Sequence, residues 1–431
     1  FTFSVTGAPQ RPATGSIDAR PTQVDPEWPK QLTRWVEAED PMGERERIEY
    51  THQVMLPPDP ASTIPSGMAT ANAYLNYRNT FYWDKLAMRE HEGDYSQATV
   101  SHWLHTPGGK TSDVLESVKR PLENRVWFNY PGQSTGPLYT GSSKQPSFVA
   151  RVLEDGTTQL TSMEYNATGG ITKHVDPLGR ETRFTYAANG IDLSEVLQVT
   201  GAGGQTSRLA RIEYDNALHL PNRVIDAANQ TTHLQYNAKG QAKQVTNAKG
   251  EVIRFEYDML GHPSFPNADY GFLRRVYDNR NNLVLSLDYN GRSQVHRVTD
   301  MEGSWVEYTY DDFDRTTTVT YMNGDTVTME YDRLDLAKST DRMGRSTQYI
   351  YNAGRQLQAV RDPLGRLTQL EYCKCGALST LIDPMGRQTT WDYDVQGRVT
   401  SKRYADGRGE DYTYDPAAGR LKTVQDAKNQ V

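Results

Sequence analysis

The sequence predicts an all-β protein of tandem hairpins, each about 21 residues long, laid side by side in one large curved or spiralling antiparallel sheet. Three observations predict it. A tyrosine returns at nearly constant spacing through the C-terminal part of the chain. Each interval contains two turn signals. Between the turns, apolar and polar residues alternate with period two.

The tyrosines are Tyr165, Tyr186, Tyr214, Tyr236, Tyr257, Tyr289, Tyr310, Tyr331, Tyr351, Tyr372, Tyr393 and Tyr414. Seven of their eleven intervals are 21 residues, and two more differ by one. The intervals of 28 and 32 read as insertions around Gly201–Gln205 and His262–Tyr270. The first turn is Asp176-Pro-Leu-Gly179-Arg180, Asp362-Pro-Leu-Gly365-Arg366 or Asp383-Pro-Met-Gly386-Arg387. Asp bonds the backbone ahead of it, Pro presets φ, and Gly takes the positive φ that closes the turn. The second turn follows the tyrosine, as in Tyr393-Asp394-Val-Gln-Gly397-Arg398. Asp314 and Asp335 read as replacements for its glycine, since Asp tolerates positive φ.

The strands carry the alternation. Two residues before each tyrosine stand Met163, Phe184, Ile212, Leu234, Phe255, Leu287, Tyr308, Met329, Tyr349, Leu370, Trp391 and Tyr412. One residue before, every position is polar except Ile350. The first set is expected to be mostly buried and the second mostly exposed. Twelve units give roughly 24 strands, and at ~4.8 Å between strands a sheet on the order of 115 Å long. One hairpin is marginal alone, so the units must stack. Wound once, such a sheet makes a ring about 35–40 Å across. The expectation is a partial shell with open edges at Val431 and, unless the N-terminal region caps it, near Gln159-Leu160.

The region before the repeats has its own character. Residues 1–50 read as a Pro-rich segment with one isolated repeat-like unit, Asp40-Pro-Met-Gly43 with Tyr50. Residues 51–160 read as a β-rich pre-repeat region, continuing or plugging the wall, and 161–431 as the tandem repeats, about twelve units. The array stops inside an unfinished unit, and the chain opens on Phe1 without Met, so the sequence reads as a piece of a longer protein.

Composition narrows the function. With Lys+Arg 47 against Asp+Glu 54, a formal net charge of −7, a generic nucleic-acid binder is not expected. No apolar run approaches the ~18 residues of a membrane span. Two cysteines do not make a disulfide scaffold. Tyr 26 against Phe 10 favours thin sheet with one side apolar and the other wet.

Isolated chemical motifs have plainer explanations. Gly132-Gln-Ser134-Thr-Gly136 matches a nucleophile elbow, but the flanking prolines suit a surface turn better than a strand and helix. His102 and His105, with His91 and Asp94 upstream, could ligate a metal, yet residues three apart on a strand face opposite sides. Cys373 and Cys375 are half a zinc site at most, a disulfide at that spacing is expected to be strained, and they read as substitutions in a repeat turn. The glutamates before the tyrosines recur on strand after strand, as a solvated face would. Arg180, Arg366, Arg387 and Arg398 could hold an anion, but are expected to pair with acidic neighbours on adjacent units.

The Tyr-Asp or Tyr-Asn, Gly-Arg and Asp-Pro-x-Gly-Arg elements, at this spacing, resemble the YD-repeat or Rhs-repeat family over about 165–431. Thr80-Phe-Tyr-Trp-Asp-Lys85, His102-Trp-Leu-His-Thr-Pro107 and Glu123-Asn-Arg-Val-Trp127 are similar to the region preceding the repeats in long bacterial members. The resemblance implies a β-spiral shell, as in bacterial Rhs proteins, the shell component of Tc toxins and the teneurins. In the bacterial cases it implies a C-terminal toxin inside the shell and a self-cleaving core segment after the repeats. This sequence contains neither.

The reading is a non-enzymatic wall segment of a secreted or cell-surface bacterial protein. Its partner is the C-terminal toxin or effector of the same parent protein. A secretion apparatus or carbohydrate is a possible further partner; a nucleic acid, a cofactor, a metal and a membrane span are not expected. The alternative is a cell-surface carbohydrate-binding or adhesion module, in which stacked Tyr and Trp hold sugar rings.

Overall fold

A computed structural model gives the fold, describing residues 2–4, 34–40, 43–54, 56, 62–70, 74–108, 110–133, 136, 138–201, 203–214, 218–260, 269–428 and 430. Most of the Pro-rich segment, Ser134, most of the insertion after His262, and Val431 lie outside these residues.

Among the described residues, thirty-two strands form one sheet. Each pairs antiparallel with the next along the chain, from Thr2–Ser4 against Arg34–Glu39 to Gly409–Tyr414 against Leu421–Asp426. A meander of this kind needs only short hairpin connections, which the Asp, Pro and Gly turns supply. The strand number exceeds the expected 24 because the wall does not begin with the repeats. Arg45–Gln53, Tyr77–Trp83, Thr99–His105, Thr111–Lys119, Val126–Asn129 and Phe148–Val152 extend the same sheet. Gln159 and Leu160, considered above as an edge, lie in Thr158–Tyr165, paired on both sides.

The packed core sits in this first part. Phe81, Trp83, Ala87, Met88, Ala98 and Val100 form one buried cluster, with Val54, Leu56 and Tyr95 against it. Leu104, Val114 and Tyr130 form a second. A short helix, Lys85–His91, closes over the first cluster; the Asp84 carboxylate caps it by accepting from Ala87 N at 2.9 Å. Residues 62–70 cover Trp127, whose indole N–H donates to Thr63 O at 3.1 Å. Asn129 pins the same segment through Ala69, at 2.8 and 2.9 Å.

The sheet winds past one full turn. Glu44 meets Arg333, Asn124 meets Lys374, Gln159 meets Val395 and Asp176 meets Gln396. Each pair is separated by about twenty strands. At ~4.8 Å per strand, that is a circumference of about 100 Å and a diameter of roughly 30 Å. The expected curved or spiralling sheet is thus a spiral whose second turn rests, edge against edge, on its first. Among the described residues, no helix is long and apolar enough to cross a membrane.

Candidate functional site

The repeating hairpin is the working element, and its turns set its geometry. At Asp362 one carboxylate oxygen accepts from Leu364 N and Arg366 N, both at 2.9 Å, and the other from Arg366 Nε at 2.6 Å. Gly365 sits at φ +79° and donates to Asp362 O at 2.9 Å. Asp383 with Gly386 and Arg387, and Asp176 with Gly179 and Arg180, repeat the arrangement. So does the second turn, at Asp394, Gly397 and Arg398. The two turn types are therefore one motif. Asp40 and Gly43 form it too, with Glu44 N donating to Asp40 Oδ1 at 3.0 Å.

These bonds correct the arginine expectation. Arg180, Arg366, Arg387 and Arg398 each pair with the aspartate four residues earlier in their own turn, and not primarily with a neighbouring unit. The Arg366 bond holds the Asp362 carboxyl below the ordinary carboxylate range. Backbone N–H groups of the turn, led by that of Arg387, do the same for Asp383. Asp314 takes the positive-φ position as expected, at +61°. Asp335 does not: it pairs with Asp332 inside a tighter two-residue turn, and Arg333 adopts φ +56°.

The tyrosines are cross-strand staples. In eleven of the twelve, the hydroxyl donates to a backbone carbonyl in an earlier part of the sheet. Tyr186, Tyr236, Tyr257, Tyr310, Tyr331, Tyr372, Tyr393 and Tyr414 all reach the residue 15 positions back. Tyr289 reaches Leu273, Tyr214 reaches Leu193 and Tyr165 reaches Pro146. Burial raises the hydroxyl pKa of most of them, Tyr372 and Tyr393 included. The surplus of Tyr over Phe was the sequence signal: a ring wanted only for packing would not need its hydroxyl. In two units the arginine of the preceding turn lies over the ring, Arg315 on Tyr331 at 4.3 Å and Arg398 on Tyr414 at 4.1 Å. The strand register shifts beside each of the twelve tyrosines, as between Glu371 and Tyr372. Such bulges sharpen local twist and bend, and a bend repeated in every unit curves the wall.

The faces follow the predicted register, with one correction. Eleven of the twelve residues before the tyrosines are exposed, and Glu213 is half-buried. The twelve apolar residues one step earlier are all half-buried, none fully. The turns of the spiral meet edge to edge, so no second sheet covers these faces, and their shielding comes from neighbours on the same face.

The seam between layers joins turns of opposite edges. Arg333 grips Glu44 with two bonds, 2.9 and 3.0 Å. Gln159 Nε2 donates to Val395 O at 2.8 Å, and Gln396 Nε2 to Asp176 Oδ2 at 2.6 Å. The turn at Cys373–Gly376 takes three bonds: Asn124 N to Lys374 O at 2.9 Å, Arg151 Nη1 to Cys375 O at 2.8 Å, and Lys374 N to Glu154 Oε1 at 2.8 Å. These partners lie 220 to 289 residues apart, and no local sequence signal marks them.

The remaining candidates fall outside this pattern. His102 is fully buried on one face of its strand and His105 half-buried on the other. His102 Nδ1 lies 2.9 Å from Asn79 Oδ1 and its Nε2 3.0 Å from Glu116, with Arg78 alongside. Burial lowers its pKa. Among the described residues no group of three His, Cys, Asp or Glu is placed to hold a metal. Cys373 and Cys375, expected as simple turn substitutions, form a disulfide. Their Cα atoms are 5.1 Å apart, inside the ordinary range, because the turn folds the chain back.

The family pattern described as the RHS repeat matches residues 331–367 and 376–408, two stretches of the hairpin motif just described. Over these residues the chain carries the RHS repeat. The chain also aligns in part with two curated proteins of Dickeya dadantii strain 3937. The probable deoxyribonuclease RhsA is 29% identical over 147 residues, 31% of this chain. The probable deoxyribonuclease RhsB is 28% identical over 157 residues, 34% of this chain. Both matches cover 10% of the relative's length. Among solved structures, that of TcdB2-TccC3 is similar at 13% identity and a TM-score of 0.41, covering 91% of this chain and 22% of that one.

Proposed function

We propose that this chain is a wall segment of an Rhs-type shell that sequesters a C-terminal toxin or effector domain of the same parent protein, exported from a bacterial cell. The observation that carries the proposal is the winding. A continuous meander that returns on itself after about twenty strands, and locks layer to layer through its turns, is built to enclose space. The half-buried aromatic face and the solvated face agree with a thin partition, since neither is packed as the core of a compact domain is. The wall itself does no chemistry in this reading: its recurrent carboxylates are occupied by turn bonds or solvated on every strand. Nuclease activity, named for the two Dickeya relatives, would belong to a separate cargo domain.

The parent protein tests this. A C-terminal domain beyond the repeats should resist protease while the wall is folded and become cleavable once urea opens it. Cleavage of that domain at the native rate of an exposed linker contradicts sequestration. Saturable glycan binding by the chain, lost on substituting half-buried aromatics such as Trp391, would support the adhesion module instead.

A further inference from the structure

We propose that Cys373 and Cys375 form a reducible latch on the seam, a disulfide whose reduction by a thiol reagent loosens the contact between the two layers of the wall. The proposal rests on the wound fold and not on any cargo. Three observations meet at this turn. First, Cys373 stands where Asp311 and Asp394 of other units accept from two backbone N–H groups and an arginine. Here the position of that arginine is Ala377, and Cys373 Sγ accepts a single long hydrogen bond, from Ala377 N at 3.4 Å. The side-chain stitching of the turn is reduced to that bond, and the Cys373–Cys375 bridge adds to it. Second, the peptide groups within the bridged ring and immediately after it make the seam bonds. Lys374 N and O and Cys375 O engage Glu154, Asn124 and Arg151 of the first layer. A bridge that fixes these groups fixes the seam. Third, both cysteines are half-exposed and Lys374 is exposed, so a small thiol can reach the bridge. No other cysteine exists to exchange with it.

The chemistry is a two-electron reduction. A thiolate of an external dithiol attacks one Sγ and breaks the Sγ–Sγ bond, forming a mixed disulfide and releasing the other cysteine as a thiolate. The reagent's second thiolate then attacks its own mixed disulfide and leaves as a cyclic disulfide. Each cysteine sulfur ends protonated. Two thiols cannot replace the aspartate as an acceptor for the turn, so the peptide groups between them gain freedom.

Hydrogen exchange of the chain with and without dithiothreitol tests the latch. Reduction should speed exchange roughly tenfold in peptides containing Asn124 and Lys374, while the Glu44–Arg333 contact stays unchanged as an internal control. The variant Cys373→Asp with Cys375→Ser restores the turn acceptor, and should stay protected whether or not reductant is present. Cys373→Ser with Cys375→Ser should exchange fast under both conditions. Equal protection of the reduced and oxidised chain overturns the proposal, as does full alkylation of both cysteines before any reductant is added.

Discussion

The chain up to about residue 152 and the repeats after it belong to one sheet but are stabilised in different ways. The first part buries large side chains: Phe81, Leu104 and Trp127 at 0% exposure, with residues 62–70 and a helix packed over the strands. Among the described residues beyond 161, the only buried side chains are small or polar, Asp192, Asn237, Ala359 and Ser401. There, cohesion comes from many small identical bonds: turn aspartates, tyrosine hydroxyls and the strand ladder. A wall can be one layer thick only if backbone and turn bonding replace a core, and the price is that each unit depends on its neighbours.

Breaking the comparison begins with the largest effect. Trp127→Ala should cost about 3–5 kcal/mol, because it opens a cavity under a covered site. Trp391→Ala, at a half-buried position, should cost about 1 kcal/mol, through lost transfer energy without a cavity. Urea unfolding, resolved by region with hydrogen exchange, measures both. Equal costs would mean that the repeat face is packed against something. Next in size, Tyr372→Phe removes the bond to Leu357 O and should cost about 0.5–1.5 kcal/mol, read as faster exchange in the strands Leu357–Arg361 and Leu367–Tyr372. No change would reduce the tyrosine to a packing residue.

The pH response sharpens the contrast. Asp362 and Asp383 are depressed, so what they add to stability is present above the unfolded value near ~4 and is lost as pH falls through their lower folded values. Tyr372 and Tyr393 are raised, so their contribution is present below ~10 and is lost as pH rises towards their folded values. Tyr130, in the packed first part, is pushed up to about 12 by burial. In an alkaline titration followed by tyrosinate absorbance, Tyr130→Phe and Tyr372→Phe should each remove amplitude from above the ordinary tyrosine range. Smallest of all, Glu371→Gln, on the solvated face, should leave stability unchanged within the error of a urea titration.

The repeats were legible because their determinants are local. Asp, Gly and Arg at fixed offsets act on their own backbone, and alternation fixes the face of each strand, as at Met163 and Glu164. The same logic placed His102 and His105 on opposite faces of one strand. Features that depend on distant chain were not legible. The bulge beside each tyrosine needs the partner strand, the Glu44–Arg333 contact needs a full turn of spiral, and the half-burial of Trp391 needs the knowledge that no second sheet covers its face. Asp335 was misplaced because a two-residue turn and a four-residue turn share the same residue types. The bridge between Cys373 and Cys375 was missed because strain was judged from spacing alone, without the turn that brings the two Cα atoms to 5.1 Å.

The central claim is that the sheet winds past one turn and seats its second layer on its first. Nitroxide labels at Leu178 and Val395, in the turns joined by Asp176 and Gln396, test it most directly by pulsed electron–electron distance measurement. The wound wall predicts a narrow peak at the short end of the measurable range. A broad distribution centred at long distance, unchanged when Gln396 is replaced by Ala, would mean that the sheet is an open arc and that the seam does not form.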